Sequence, residues 1–385
     1  MKCKKILTAL LAAACTMSGC HGDLDIMQDN KLSASNMWID ESDAETATYG
    51  IYLYMRDALK SVHDIYLCWG EFRNGLWGAG TNKTLSGVDQ TQVRTSTMSS
   101  SNAYADWSVM YKTVNQANLI LKHVPEMGIS ESVRNFSLGN AYFSRAWCYF
   151  WIARIWGDAP LALTGYESTG GDLYLPRAPK AEIFARIESD LTEAERYVTD
   201  NSDKAVATPA AVQMLKADYA LWMYRVAGGG SSYLTMAEKA IEALNLSASR
   251  LESDYAQVFS SANKLNKEVI FAVHQANGEA VNGPGYYLGW NSNYVEAAYQ
   301  NNPVPITGGN QWWWYTDRYK ALLTSVEGDT RTKLTYNRAD YGTTIKSIEW
   351  TEKGVGQMIS GARIFDSDFI LYRYAEAFLM DAEIK

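Results

Sequence analysis

Between Trp107 and Leu244 apolar residues recur every three or four positions in successive stretches, three of them closed by glycine or proline. That period is the mark of helices with one buried face, and it restricts this part of the chain to packed helices. The first stretch carries Trp107, Met110, Tyr111, Val114, Ala117 and Leu121 and ends at Pro125 and Gly128. A second helix is predicted over Val133–Trp156, with Phe136, Phe143, Trp147, Phe150, Trp151 and Ile155 on one side and Gly157-Asp158-Ala159-Pro160 as its stop. Pro179 opens a third, striped by Ile183, Ile187, Leu191, Ala194 and Val198; Thr208-Pro209 caps and opens a fourth, closed by Gly228-Gly229-Gly230; Leu234–Leu244 is a fifth. Helix pairs with single apolar stripes must stack on neighbours. The expected class is therefore mostly α, a tetratricopeptide-like helical-repeat core, although no strict 34-residue repeat is present.

The flanks differ. A helix is predicted over Asp43–Leu59, followed by a long loop region from Tyr66 to Asn102 rich in Gly, Asn, Ser and Thr. Glu268–Val273 is a short β-type run, and Asn277–Ile364 is again loop-like, giving loop-rich insertions with a few short strands. Asp366 or Ser367 is expected to cap a last helix from Asp368 onward. No glycine or proline closes that helix by Lys385, so the chain is expected to be truncated.

Lys2, Lys4 and Lys5 precede the apolar run Ile6–Ala14 and then Met17-Ser18-Gly19-Cys20, which reads as a secretory signal over 1–19. Small residues before Cys20 resemble a lipobox, which would make Cys20 a lipidated first mature residue and anchor an acidic body at a membrane. The alternative is an ordinary cleaved signal with an incidental cysteine. Cys68 and Cys148 are the cysteines left for the fold, as a disulfide or as two buried thiols. With 43 acidic against 35 basic residues, a net charge of −8 argues against nucleic acid, whose phosphates need a cationic face.

No H-E-x-x-H, G-x-S-x-G, P-loop or Cys-x-x-Cys is present, and the four histidines have no metal-ligand spacing, so no catalytic residue, metal or cofactor is assigned. The aromatic content is high: 13 Trp and 25 Tyr. A site for sugars needs flat rings flanked by hydrogen-bonding side chains, and two loop regions qualify. One holds Arg73, Asn74 and Trp77, the indole bracketed by Gly75 and Gly78. The other holds Trp290, Asn293 and Tyr294, then the run Trp312, Trp313, Trp314 and Tyr315. On a strand two of those four rings would face out; for any one of Trp312, Trp313 and Trp314 taken singly, burial against the helical layer is the expected fate, with at least one loop Trp expected as a ligand platform. Trp107, Trp147, Trp151 and Trp222 lie on helical stripes and read as core. Asp89, Asp106, Glu296 and Asp317, near the aromatic loops, keep a helical glycoside hydrolase open as the alternative.

Arg145-Ala146-Trp147-Cys148-Tyr149-Phe150, then Gly157-Asp158-Ala159-Pro160-Leu161, the helix Ile183–Ala194 after Arg177, Thr208-Pro209-Ala210-Ala211, Glu268-Val269-Ile270-Phe271 and Arg373-Tyr374-Ala375-Glu376 occur in that order. Together they resemble the signatures of the SusD/RagB family of outer-membrane lipoproteins. The resemblance implies a helical region over 20–245 and a loop-bearing C-terminal region over 246–385. It implies a lipid-anchored, surface-exposed protein of the outer membrane that binds an oligosaccharide or polysaccharide, or in some members a peptide. Its partner would be a SusC-like TonB-dependent transporter. The signature residues themselves are expected to hold the core together. Chains of that family continue beyond the last of these motifs.

Overall fold

The computed structural model describes residues 37–385 apart from 81–87, 169, 172, 280–282, 310 and 312, and Asp40–Lys385 form one unit. The signal segment, Cys20 and Trp312 lie outside the described residues.

Helix α1 runs over Glu41–Gly70, eleven residues past its predicted end. Its start is a capping box: the Asp40 side chain accepts from Asp43 N, and Asp43 reaches back to Asp40 N. Its extension is held by Ile65, Leu67 and Cys68, all buried, so tertiary contacts override a local composition that reads as loop. Strand β1 (Trp77–Ala79) and helix α2 (Val88–Thr95) occupy more of the expected loop region. Helix α2 is polar and is braced by Asn102, whose side chain donates to the Asp89 carbonyl and to Gln92 Oε1.

The helices read from periodicity follow closely: α3 (Ser108–His123), α4 (Glu131–Trp156), α5 (Lys180–Tyr197), α6 (Pro209–Arg225) and α7 (Ser231–Ala243). Thr208 caps α6 by accepting from Ala211 N, with Pro209 in the first turn. Helix α4 is the hub, packing against α1, α3 and α5. Its middle, from Ser137 to Phe150, is buried on nearly every side, Phe143, Trp147, Cys148, Tyr149 and Phe150 included, so the expected one-sided stripe is only part of what the fold covers there. Within it Arg145 donates twice to Asp190 of α5, at 2.8 and 2.7 Å, and once to Asn118 of α3 at 2.7 Å, joining three helices through one buried guanidinium. Gly157, at φ +72°, ends α4 in a conformation suited to glycine. Asp158 then accepts from Lys180 N at the start of α5, and β2 (Ala159–Pro160) pairs with β3 (Arg177–Ala178). Helix-on-helix layers of this kind form the tetratricopeptide-like core, and the fold is mostly α with a few short strands.

Beyond α7 come the short helix α8 (Tyr255–Val258), β4 (Val269–Val273), β5 (Trp313–Tyr315), α9 (Asp317–Leu323), α10 (Thr330–Thr335), and strands β6 (Asn337–Ala339), β7 (Ile348–Trp350), β8 (Gln357–Ile359) and β9 (Ala362–Ile364). Strand β4 is buried along its length and sends Phe271 between Phe143 and Tyr52. The expected last helix begins six residues later than predicted. Phe369–Arg373 is strand β10, antiparallel to β4, and helix α11 covers Tyr374–Ile384. The edge of β4 supplies backbone partners that a helix would leave unused, and Asp366, expected as a cap, is buried against Lys264 and Gln357. Cys68 and Cys148 are buried thiols and not a disulfide, and burial pushes the Cys148 thiol well above its ordinary range.

Candidate functional site

The turn after α1 is built by Gly75, at φ +78°, and by Asn74, which accepts from Leu76 N and donates to Glu71. Asn74 is therefore exposed but occupied with the turn. The turn delivers Trp77 onto β1, which pairs antiparallel with β5 so that Trp77 faces Tyr315 and Ala79 faces Trp313. The rings of Trp77 and Tyr315 meet edge to face at 4.8 Å.

The strand has no outward face. Trp313, Trp314 and Tyr315 are 2%, 1% and 7% exposed and share one cluster with Phe72, Trp77 and Tyr104. The expectation that two rings of the run face out thus fails for these three, because they share a cluster with Ile65, Leu67 and Cys68 of helix α1 and with loop residues such as Tyr287 and Leu288. Trp77, at 8%, is core as well, with its edge on a cavity. Trp290 is fully buried in a second cluster, donating Nε1 to the Glu349 carbonyl at 2.7 Å. Tyr294 packs half-buried on Trp290, and Asn293 is exposed. These three line none of the cavities described below.

Two adjoining cavities do collect predicted residues. The first, about 720 Å³, is bordered by Glu71, Trp77, Trp151, Tyr255, Phe259 and Tyr315 and by four cations, Lys264, Arg331, Lys353 and Arg373. The second, about 480 Å³, is bordered by Trp69, Arg73, Trp151, Arg154, Trp156 and Trp222. Gly70 and Trp151 belong to both. Trp151, Trp222 and Trp107, expected as core, are only half-buried. The indoles form a ladder: Trp107–Trp156 at 6.1 Å, Trp156–Trp69 at 5.3 Å and Trp69–Trp151 at 5.9 Å. Trp69 Nε1 donates to the Tyr104 carbonyl and Trp156 Nε1 to the Ala105 carbonyl, so both rings are fixed in orientation before any ligand arrives. The Arg177 guanidinium lies 4.5 Å over Trp107. Trp107 also borders a third, open groove of about 840 Å³ with Tyr54, Tyr111 and Tyr166.

Trp69, Trp151, Trp156 and Trp222 were not legible as site residues because helical periodicity assigns a face and not an end. Their common signal is position: each lies near the C-terminal end of α1, α4 or α6, where the neighbouring layer no longer covers the helix. Of the carboxylates that kept a hydrolase open, Asp106 accepts from Ser108 N, Asp89 faces Ala103 N, and Glu296 and Asp317 are exposed; none borders either ladder cavity. The first cavity's own acids are Glu71, Asp329 and Asp368. Asp329 is chelated by Arg331, which holds it down to about 2, and Asp368 lies 3.0 Å from His274 Nδ1 and accepts from Gln275 N. Among the described residues no group of three or more His, Cys, Asp or Glu is placed to hold a metal, and no helix is long and apolar enough to cross a membrane.

Residues 79–222, from the end of β1 to α6, match a SusD-like family model described as starch-binding associating with outer membrane. The SusD-like protein P38 of Formosa agariphila is 26% identical over 190 residues, 49% of this chain and 36% of that protein, so the matched region spans about a third of that relative. NanU of B. fragilis superposes with a TM-score of 0.75 at 27% identity, covering 93% of this chain and 76% of that one. The surface glycan-binding protein A of Bacteroides thetaiotaomicron, solved with laminarihexaose, shares the fold with a TM-score of 0.71 at 17% identity, covering 89% and 78%. Motif order, the family model over residues 79–222 and the helical architecture agree in their likeness to SusD-like proteins.

Proposed function

We propose that this protein captures an oligosaccharide or polysaccharide without cleaving it, using the indole ladder and the two cavities it borders. The observation that carries this reading is the ladder of half-buried indoles, in which the Trp69 and Trp156 N–H groups are already bonded to backbone carbonyls. Such rings offer apolar faces to sugar C–H groups and lose little freedom on binding. Arg73 and Arg154 beside them supply donors for hydroxyls. A solved relative of the same fold holds laminarihexaose. In this reading Cys20 carries the lipid that anchors the chain at the outer-membrane surface, and a SusC-like TonB-dependent transporter receives the glycan. Among the sequence-predicted residues, Arg73, Trp77 and Tyr315 contribute directly at the cavities, while Trp313 and Trp314 support them from below.

The test is a titration of the chain starting after Cys20 with a polysaccharide panel, following tryptophan fluorescence and assaying the same samples for new reducing ends. Saturable quenching without new ends is expected. New reducing ends would replace this reading with a glycosidase, and silence toward every glycan would discard it.

A further inference from the structure

The first cavity has an unusual charge pattern for an acidic protein. Three of its four cations have their own carboxylate: Lys264 pairs with Asp366 at 3.2 Å, Arg331 with Asp329 at 2.6 Å, and Arg373 with Glu268 at 2.7 Å. The fourth, Lys353, has none within 4 Å among the described residues. Its ammonium sits 4.3 Å from the centre of the Phe259 ring, and Arg373 lies 5.7 Å from the same ring. Two cations thus face one ring and one carboxylate. Burial together with the Arg373 charge pulls the Lys353 ammonium down to about 8, with Glu71 opposing. The loop holding it is fixed. Gly354 and Gly356 have φ of +72° and +67°, and a side chain at Gly285 would strike the Gly354 carbonyl at 2.8 Å. Glu71 is the acid with no cation partner here: Oε2 takes Asn74 and Trp77, and Oε1 accepts nothing from the described residues.

Building on the glycan-capture reading, we propose that the first cavity selects an acidic sugar residue, seating its carboxylate or sulfate on Lys353 with Arg373 alongside, while Glu71 accepts hydrogen bonds from the sugar's hydroxyls. An anion there supplies the missing counter-charge and restores the full charge of the amine. A neutral sugar leaves Lys353 unanswered, so selectivity arises from an unpaired buried charge as much as from a new bond.

The experiment is calorimetric titration of the purified protein with paired probes: oligogalacturonate and hyaluronan oligosaccharides against their methyl esters, and carrageenan oligosaccharides against desulfated ones. At least one acid form should bind about tenfold or more tightly than its neutral partner, the scale of one charge-assisted hydrogen bond. Whether the carboxylated or the sulfated pair shows the preference identifies the anion. Lys353→Met should abolish the preference, and Lys353→Arg should retain it. Melting temperatures of both variants guard against misfolding; an unchanged or raised value is expected, since no hydrogen bond of the Lys353 side chain is lost. The preference should also fade above pH 8. Equal binding of acid and neutral forms, or a preference that survives Lys353→Met in a folded protein, overturns this assignment alone. Failure of neutral and acidic glycans alike overturns the capture reading with it.

Discussion

Two tryptophans illustrate how position along a helix divides structural from binding work. Trp147, 1% exposed in the middle of α4, touches core on every side. Trp147→Ala should cost about 3–5 kcal/mol of stability, as for other large aromatic deletions, measured by denaturant unfolding. Trp69, half-buried at the end of α1, is expected to behave oppositely: Trp69→Ala should weaken glycan binding roughly three- to tenfold, on the scale of one aromatic contact, with a smaller loss of stability. A core-like drop in melting temperature would return Trp69 to a structural role. Arg145 belongs with Trp147. Arg145→Met leaves the wholly buried Asp190 with Arg186, 3.6 Å away, in place of two short bonds and should destabilise by about 3–5 kcal/mol, far more than loss of an exposed pair such as Lys385–Asp381.

At the scale of elements, the closest approach in the helical layer is α4 against the end of α5. A Cβ at Gly139 would meet Val198 Cγ2 at 2.7 Å and Val198 N at 3.1 Å. Gly139→Ala gains helix propensity in isolation but should destabilise the protein by roughly 1–3 kcal/mol through overpacking, visible as a lower melting temperature. The β10–α11 junction carries a titratable counterpart. Burial first and the neighbouring Asp218 next push Glu376 up to about 7, with Arg373 and Arg154 pulling it back. A carboxyl raised on folding keeps a proton that the unfolded chain releases near 4.5, so stability falls as pH rises from about 4.5 to 7 and the penalty persists above. Glu376→Gln should therefore leave the melting temperature unchanged at pH 4 and raise it at pH 8; a decrease at pH 8 would show that the two arginines win instead.

Across the whole molecule, the helical layers and the loop-rich half share one core. Phe271 of β4 lies against Phe143 and Tyr52, and the Tyr372 hydroxyl of β10 donates to Asp218 of α6 at 2.9 Å. A fragment ending at residue 245 should keep helical far-UV signal but lose the near-UV signal of fixed aromatics, because that shared face is left bare; a native-like melting transition in the fragment would contradict this. The amino-acid sequence by itself determined helices α3 to α7, the caps at Thr208 and Gly157, and the order of motifs that marks the family. Each of these depends on neighbours within a few residues, where periodicity and turn chemistry act. It did not reveal that Trp313, Trp314 and Tyr315 are all covered, that Phe369–Arg373 is a strand, or that Trp69, Trp151 and Lys353 border adjoining cavities. Those outcomes rest on partners far away in the chain: β1 for β5, β4 for β10, and the converging ends of three helices. Only tertiary structure decided them, since burial and strand pairing are fixed by what a surface meets, not by its own pattern.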